Sequence, residues 1–330
     1  MLLQVLGTAA GGGLPQWNCA CPGCSGARAH PSRRRRHASL AVRADEGRWY
    51  LVNATPDIGD QIEDSAALRP GPGPRDTPVA GIVLTDAELD HTLGIARLRE
   101  ADGFSLVATA RVRRALTDRL HLDDVLAPYT RITWRGLDVE PEPLHKGGSV
   151  EASAVPVSAK RPRYAADVTP TDPTGGHPDP AAAEGNTPAA EGNPPAAGAD
   201  GLGDHGWVTA LKLRDTDTGR SLLYAPALAA WTAAFQEAVD AADCVILDGT
   251  FWDDEEPRDT GISACTATEM GHLPIAGPRG TARRLATARA RCLYTHLNNT
   301  NPLTNPESQQ HALLGSWGLE VAADRMVIEL

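Results

Sequence analysis

Residues 81–92, Gly-Ile-Val-Leu-Thr-Asp-Ala-Glu-Leu-Asp-His-Thr, constrain this chain more than any other stretch. The apolar run at 81–84 reads as a short strand buried on both faces. Helical spacing takes over from about residue 91, with Leu93, Ala96 and Leu98 as inward positions. Between the two lie four metal-capable side chains, Asp86, Glu88, Asp90 and His91. In an extended loop, residues two apart point the same way, so 86, 88 and 90 share a side and His91 joins them as the helix begins. An acidic helix start, favoured by the helix dipole, is the plain alternative; the strand–loop–helix setting favours a site.

The rest of the chain repeats this alternation. Apolar runs at 2–6, 39–42, 49–52, 104–108, 150–157, 207–213, 222–225, 244–247, 292–295 and 326–330 read as strands. Segments 112–120, 228–241 and 281–290 read as helices. Strands dominate early and helices intervene later, which predicts an α/β architecture of two sheets with helices outside. With 330 residues, 42% of them hydrophobic, one large core is well supplied, and we expect a single domain over 1–330. The exception is the segment 165–206, rich in Ala, Gly and Pro, with the near repeat Glu-Gly-Asn-Thr-Pro-Ala-Ala, Glu-Gly-Asn-Pro-Pro-Ala-Ala at 184–197. It has too little apolar surface to offset its ordering entropy, so we read it as a mobile, dispensable insert between two core strands; an ordered lid is the alternative.

The net charge of −11 gives no electrostatic reason to bind nucleic acid. The basic run Arg33-Arg34-Arg35-Arg36 is local, either a solvated loop or a patch for an anion. No apolar stretch approaches the roughly 20 residues of a membrane helix, and the start lacks the basic region of a signal peptide, so the cytoplasm is the expected compartment. The oligomeric state is left open, a homodimer included.

Three of the six cysteines, Cys19, Cys21 and Cys24, fall within six residues, with Pro22-Gly23 as a turn between them. Soft thiolates so crowded favour a closed structural zinc, whose fourth ligand the spacing does not identify. Two histidines sit in polar loops: His272 after Met270-Gly271, and His296 where a strand opens into Asn298-Asn299-Thr300-Asn301. Each is a candidate site residue or an ordinary hydrogen-bonded histidine. Asp248, at another strand end, reads as a turn-former or as a carboxylate supporting a ligand. The run Gly11-Gly12-Gly13 lacks the lysine of a phosphate-binding loop and reads as a place where backbone approaches the metal loops closely.

The spacing of Asp86, Glu88, Asp90 and His91 resembles the H-x-H-x-D-H loop of the metallo-β-lactamase superfamily, with carboxylates in the two usual histidine places. His296 resembles that superfamily's last metal histidine, and His272 the Gly-His histidine of its phosphodiesterases and tRNA-processing nucleases. The usual aspartate, expected near 224–226, and the middle histidine, expected within 155–164, are absent. Longer blocks at 6–19, 53–58, 76–78, 248–252, 270–272 and 298–302 resemble the branch that serves biosynthesis of the redox cofactor pyrroloquinoline quinone (PQQ). The resemblance implies the αββα sandwich and an iron-dependent hydroxylation of the tyrosine ring in a small cross-linked Glu–Tyr intermediate. A metal-dependent hydrolase and a non-catalytic PQQ carrier are the alternatives. It also implies Asn299 as the position of the fourth zinc ligand, because related phosphodiesterases place theirs three residues after the last metal histidine. Two histidines and one carboxylate with open positions is the pattern of oxygen-activating ferrous sites. We therefore expect one divalent metal, iron in the working enzyme, on Asp90, His91 and His272, with His296, Asp86 and Glu88 as additional ligands or orienting groups.

Overall fold

The computed structural model describes residues 1–166 and 206–330. The insert read at 165–206 thus lies, apart from its ends, outside the described residues. Two seven-stranded sheets face each other. The first carries β1 (Leu2–Gly7), β2 (Ser39–Asp45), β3 (Arg48–Val52), β4 (Val79–Val83), β5 (Gly103–Ala108), β6 (Arg131–Gly136) and, at its other edge beside β1, β14 (Val327–Glu329). The second runs β13 (Glu320–Val321), β12 (Arg291–Thr295), β11 (Cys244–Asp248), β10 (Ser221–Ala225), β9 (Val208–Asp215), β8 (Val150–Ser158), β7 (Glu142–Pro143).

Alternation along each strand sorts its side chains into two cores. Leu3, Val5, Val52, Leu222, Tyr224 and Ile246 meet between the sheets. Leu51 and Ile82 of one sheet and Leu223 and Val245 of the other point away from that interface, where the helical residues Ile58, Leu116, Phe235 and Leu285 join the packing. Strands buried on both faces explain the uninterrupted apolar runs, and the αββα sandwich is the fold observed. Both sheets are mixed: β3 through β6 are parallel neighbours, as are β10 through β13, with antiparallel pairing on the flanks. The loops after β4, β11 and β12 thus leave parallel strands at their carboxyl ends, where open α/β sheets place their sites.

Helices depart most from expectation. The helix expected over 228–241 is Ala233–Ala241, because Thr232 caps it by accepting from the Phe235 amide. The one expected over 281–290 is only Ala282–Leu285. Strands β6, β7 and β13 had no clear apolar signal: β6, Arg-Ile-Thr-Trp-Arg-Gly, is half-exposed at a sheet edge. The arginine run is no free patch. Arg33 pairs with Glu307, Arg36 with Asp60 and Asp64, and the half-buried Arg35 donates to Thr8 Oγ1 and the Ala322 carbonyl.

Candidate metal centre

The loop after β4 is built around Asp86. Asn53, which follows β3 with φ 66°, accepts from the Thr85 amide at 3.0 Å and donates to Thr85 Oγ1 at 2.9 Å. The Thr85 hydroxyl donates to Asp86 Oδ2 at 2.8 Å, and the Glu88 amide to Asp86 Oδ1 at 2.9 Å. Asp86 is buried and takes the Nδ1 of His91 at 2.7 Å. That bond places the ring proton on Nδ1 and leaves Nε2 a lone pair.

His296 is prepared the same way from the other sheet. It follows β12 directly, with φ 57°, a backbone conformation that non-glycine residues hold only where the surroundings enforce it. Its Nδ1 lies 2.8 Å from Thr250 Oγ1, whose own proton goes to Asp248 Oδ1 at 2.6 Å. Asp248, at the end of β11, also accepts the Leu228 and Thr250 amides at 2.8 and 3.0 Å, and His272 Nδ1 at 2.8 Å. Burial works against its charge, but His272 beside it holds the carboxyl below its ordinary range.

The Nε2 atoms of His91 and His296 are buried and, among the described residues, have no hydrogen-bond partner. Both face Asp90 Oδ2, at 3.8 and 3.5 Å. The three donors lie within 4.8 Å of one another, the spacing of atoms that share one ion about 2 Å from each. Two imidazole Nε2 atoms without a hydrogen-bond partner among the described residues, facing one carboxylate, fit a divalent cation. Without one, burial disfavours a charged His91, yet Asp86 and Asp90 outweigh it and push its pKa up to about 9. Burial likewise opposes charge on Asp90, but His91 and His296 hold it well below the usual carboxylate range.

So Asp90, His91 and His296 come together, whereas His272 sits with Asp248 and His296, its Nδ1 already engaged. Asp86 stands behind His91. Glu88 lines the cleft, its pKa raised by burial and by Asp86 and Asp90 nearby. The cleft encloses about 360 Å³, with Phe251 and Met270 among its apolar walls. Gly11 closes on it as its sequence implied: a Cβ there would stand 3.1 Å from Asp90 Oδ2. Sequence reasoning passed over Thr250, whose hydroxyl links Asp248 to His296, and Tyr164, whose hydroxyl donates to the Ala87 carbonyl at 2.6 Å. The polar Asp-Gly-Thr at a strand end was the one signal available for Thr250.

Cys19, Cys21 and Cys24 bring their sulfurs within 4.8 Å of one another. Cys21 caps the helix Pro22–Ala29. Asn299 lies against the cluster, its Nδ2 at 3.2 Å from Cys24 Sγ and 3.7 Å from Cys21 Sγ. Burial pushes the Cys21 thiol up to about 11, while the Cys21 amide lowers Cys19. Three sulfurs converging in this way have the donor chemistry of the thiolate zinc site expected, and Asn299, the expected fourth position, lies beside them as a hydrogen-bonding neighbour.

Comparison with known proteins places the fold in a family. The Beta-lactamase superfamily domain matches residues 48–177 and 187–297. Coenzyme PQQ synthesis protein B of Azoarcus sp. (strain BH72) is 38% identical, and that of Methylococcus capsulatus 35%, each over the whole of both chains. The crystal structure of Zn(2+)-bound PqqB from Methylobacterium extorquens superposes with a TM-score of 0.82 at 28% identity, covering both chains fully. A diphosphatase of the PhnP family shares the fold, with a TM-score of 0.63 at 17% identity over all of this chain and 97% of the other. Among the described residues no helix is long and apolar enough to cross a membrane.

Proposed function

The chain belongs to the coenzyme PQQ synthesis protein B family of the β-lactamase superfamily, and from that membership we propose that it is a metal-dependent enzyme of PQQ biosynthesis that hydroxylates the tyrosine ring of a cross-linked Glu–Tyr intermediate. The role in PQQ synthesis rests on full-length relatives of that name. The chemistry rests on the donor set.

One observation carries the metal reading: two buried Nε2 atoms, without hydrogen-bond partners among the described residues, face one carboxylate oxygen. The ligands are Asp90, His91 and His296, in place of the Asp90, His91 and His272 expected from sequence. A ferrous ion in such a two-histidine, one-carboxylate set supplies dioxygen activation. The remaining groups do the positioning. Asp86 and Thr250 hold the ligand rings in the tautomer that presents Nε2. His272, its Nδ1 fixed by Asp248, lines the cleft and is the side chain suited to accept the phenol proton at its other nitrogen. Phe251 and Met270 exclude water beside the ring.

The test is anaerobic iron loading, then oxygen uptake with the cross-linked Glu–Tyr compound and ascorbate as electron donor. One oxygen atom should enter the ring, read by mass, and the other should leave as water. Two zinc ions per cleft with phosphodiester hydrolysis and no oxygen uptake would establish the hydrolase instead. Binding of PQQ without turnover would establish the carrier.

A further inference from the structure

One side of the metal cleft carries three cations in four residues, Lys160, Arg161 and Arg163. They line the cleft together with Asp86, Glu88 and Asp90, with Lys160 close enough to act on Glu88, in a chain of net charge −11. Anything anionic meets repulsion at such carboxylates unless cations are gathered beside them. The segment bearing them is tied down at several points. The Lys160 amide donates to Ser158 Oγ at 3.0 Å, and Pro162 is buried. The Arg161 guanidinium lies 5.7 Å over the Trp207 ring. The Tyr164 hydroxyl fastens the end of the segment to Ala87, inside the metal loop.

Lys160 is held most closely. Its ammonium donates to the Met270 carbonyl, which leaves two of its three donors for other partners. Its stem covers Gly271, where φ is +90° and an added Cβ would stand 3.0 Å from Lys160 Cδ. Gly271 precedes His272, so the ammonium is seated beside the histidine that lines the cleft. Guanidinium forks and an ammonium fixed next to a ring-binding cleft match carboxylates carried on the same molecule as the ring.

We infer, resting on the function proposed above, that residues 160–163 form a carboxylate-binding subsite: Lys160 with Arg161 and Arg163 takes the free carboxylates of an amino-acid-derived substrate while its aromatic ring lies at the metal centre. The subsite selects for a polycarboxylate and turns the ring toward Asp90, His91 and His296.

The experiment measures affinity by calorimetry on the zinc-loaded protein, which binds without turning over. The probes are the cross-linked Glu–Tyr compound, its fully amidated counterpart and inorganic phosphate. The carboxylate form should bind at least roughly tenfold more tightly than the amide, the effect of about one charge-assisted hydrogen bond. That advantage should shrink as salt rises, vanish in Lys160→Gln and return in Lys160→Arg, with zinc affinity unchanged in both. Equal affinity for acid and amide, or a Lys160→Gln variant that keeps the preference, overturns the subsite and leaves the hydroxylase reading standing. Phosphate binding that depends on Lys160 while the carboxylate form's binding does not also overturns it, in favour of a phosphate site. If neither organic probe binds, the subsite is overturned. The hydroxylase reading falls with it only if the iron-loaded protein also takes up no oxygen with the cross-linked compound.

Discussion

Replacing Thr250 by Val tests whether the metal centre is held by the tautomer argument. Valine has nearly the shape of threonine, so no cavity opens, and the backbone amide of residue 250 still reaches Asp248. Three contacts disappear: the 2.6 Å bond to Asp248, the 2.8 Å bond to His296 Nδ1 and the 3.1 Å contact with His272 Nδ1, which keeps its own bond to Asp248. The Nδ1 proton of His296 is then a buried donor without an acceptor, a cost of about 1–3 kcal/mol. The ring can relieve it by moving the proton to Nε2, the atom that faces Asp90, which removes the lone pair a metal needs. Either way metal affinity falls by roughly 10- to 100-fold, the usual effect of losing an orienting partner. His91, held independently by Asp86, keeps the loss from being complete. The assay is a chelator competition with zinc and with ferrous iron, repeated on Thr250→Ser, which retains the hydroxyl and should bind as wild type does. If Thr250→Val binds metal with wild-type affinity, the hydroxyl does not set the tautomer and the orientation of His296 has another cause.

Other changes separate the remaining assignments. His91→Ala removes a ligand and should abolish both iron binding and oxygen uptake; full iron occupancy with normal uptake would mean the metal lies elsewhere. Replacing Cys19, Cys21 and Cys24 by Ser should remove one zinc per chain and lower the thermal midpoint, since ligation and folding are coupled; a triple variant that keeps its zinc and its melting behaviour refutes the cluster. Glu256 makes stability depend on pH. Burial raises its carboxyl from 4.5 to about 7, although Thr300 and the Trp252 amide donate to it. The folded state therefore holds this proton more tightly than the unfolded one. The stabilisation is present below pH 4.5 and is lost as pH rises through about 7, roughly 3 kcal/mol in all. Glu256→Gln removes the titration, so denaturant unfolding should show the variant gaining on wild type by that order between pH 5 and 8; a difference that stays constant with pH would show that Glu256 is charged throughout.

The sequence by itself determined most of the strands and the loop after β4 that bears the candidate site. Apolar runs such as 222–225 and 244–247 were legible because strands buried on both faces need no polar alternation. Asp90 and His91 were legible because a tight strand–loop–helix turn brings adjacent side chains to one place, and the cysteines because six residues leave thiols little choice but to converge. Which histidine completes the centre was not legible. His296 follows β12 directly and His272 lies in the long connection between β11 and β12, yet both sit in polar loops, and only the tertiary packing places the Thr250 hydroxyl within reach of both rings. That packing gives the Nδ1 of His272 to Asp248 and turns the Nε2 of His296 toward Asp90. Likewise nothing in the sequence marks out Lys160, Arg161 and Arg163 among its 31 lysines and arginines. They line the metal cleft only because β8 in the second sheet ends opposite the loop from β4 in the first. Local spacing dictates what neighbours along the chain can do together; the partner of a side chain more than a hundred residues away is decided by how the two sheets close on each other.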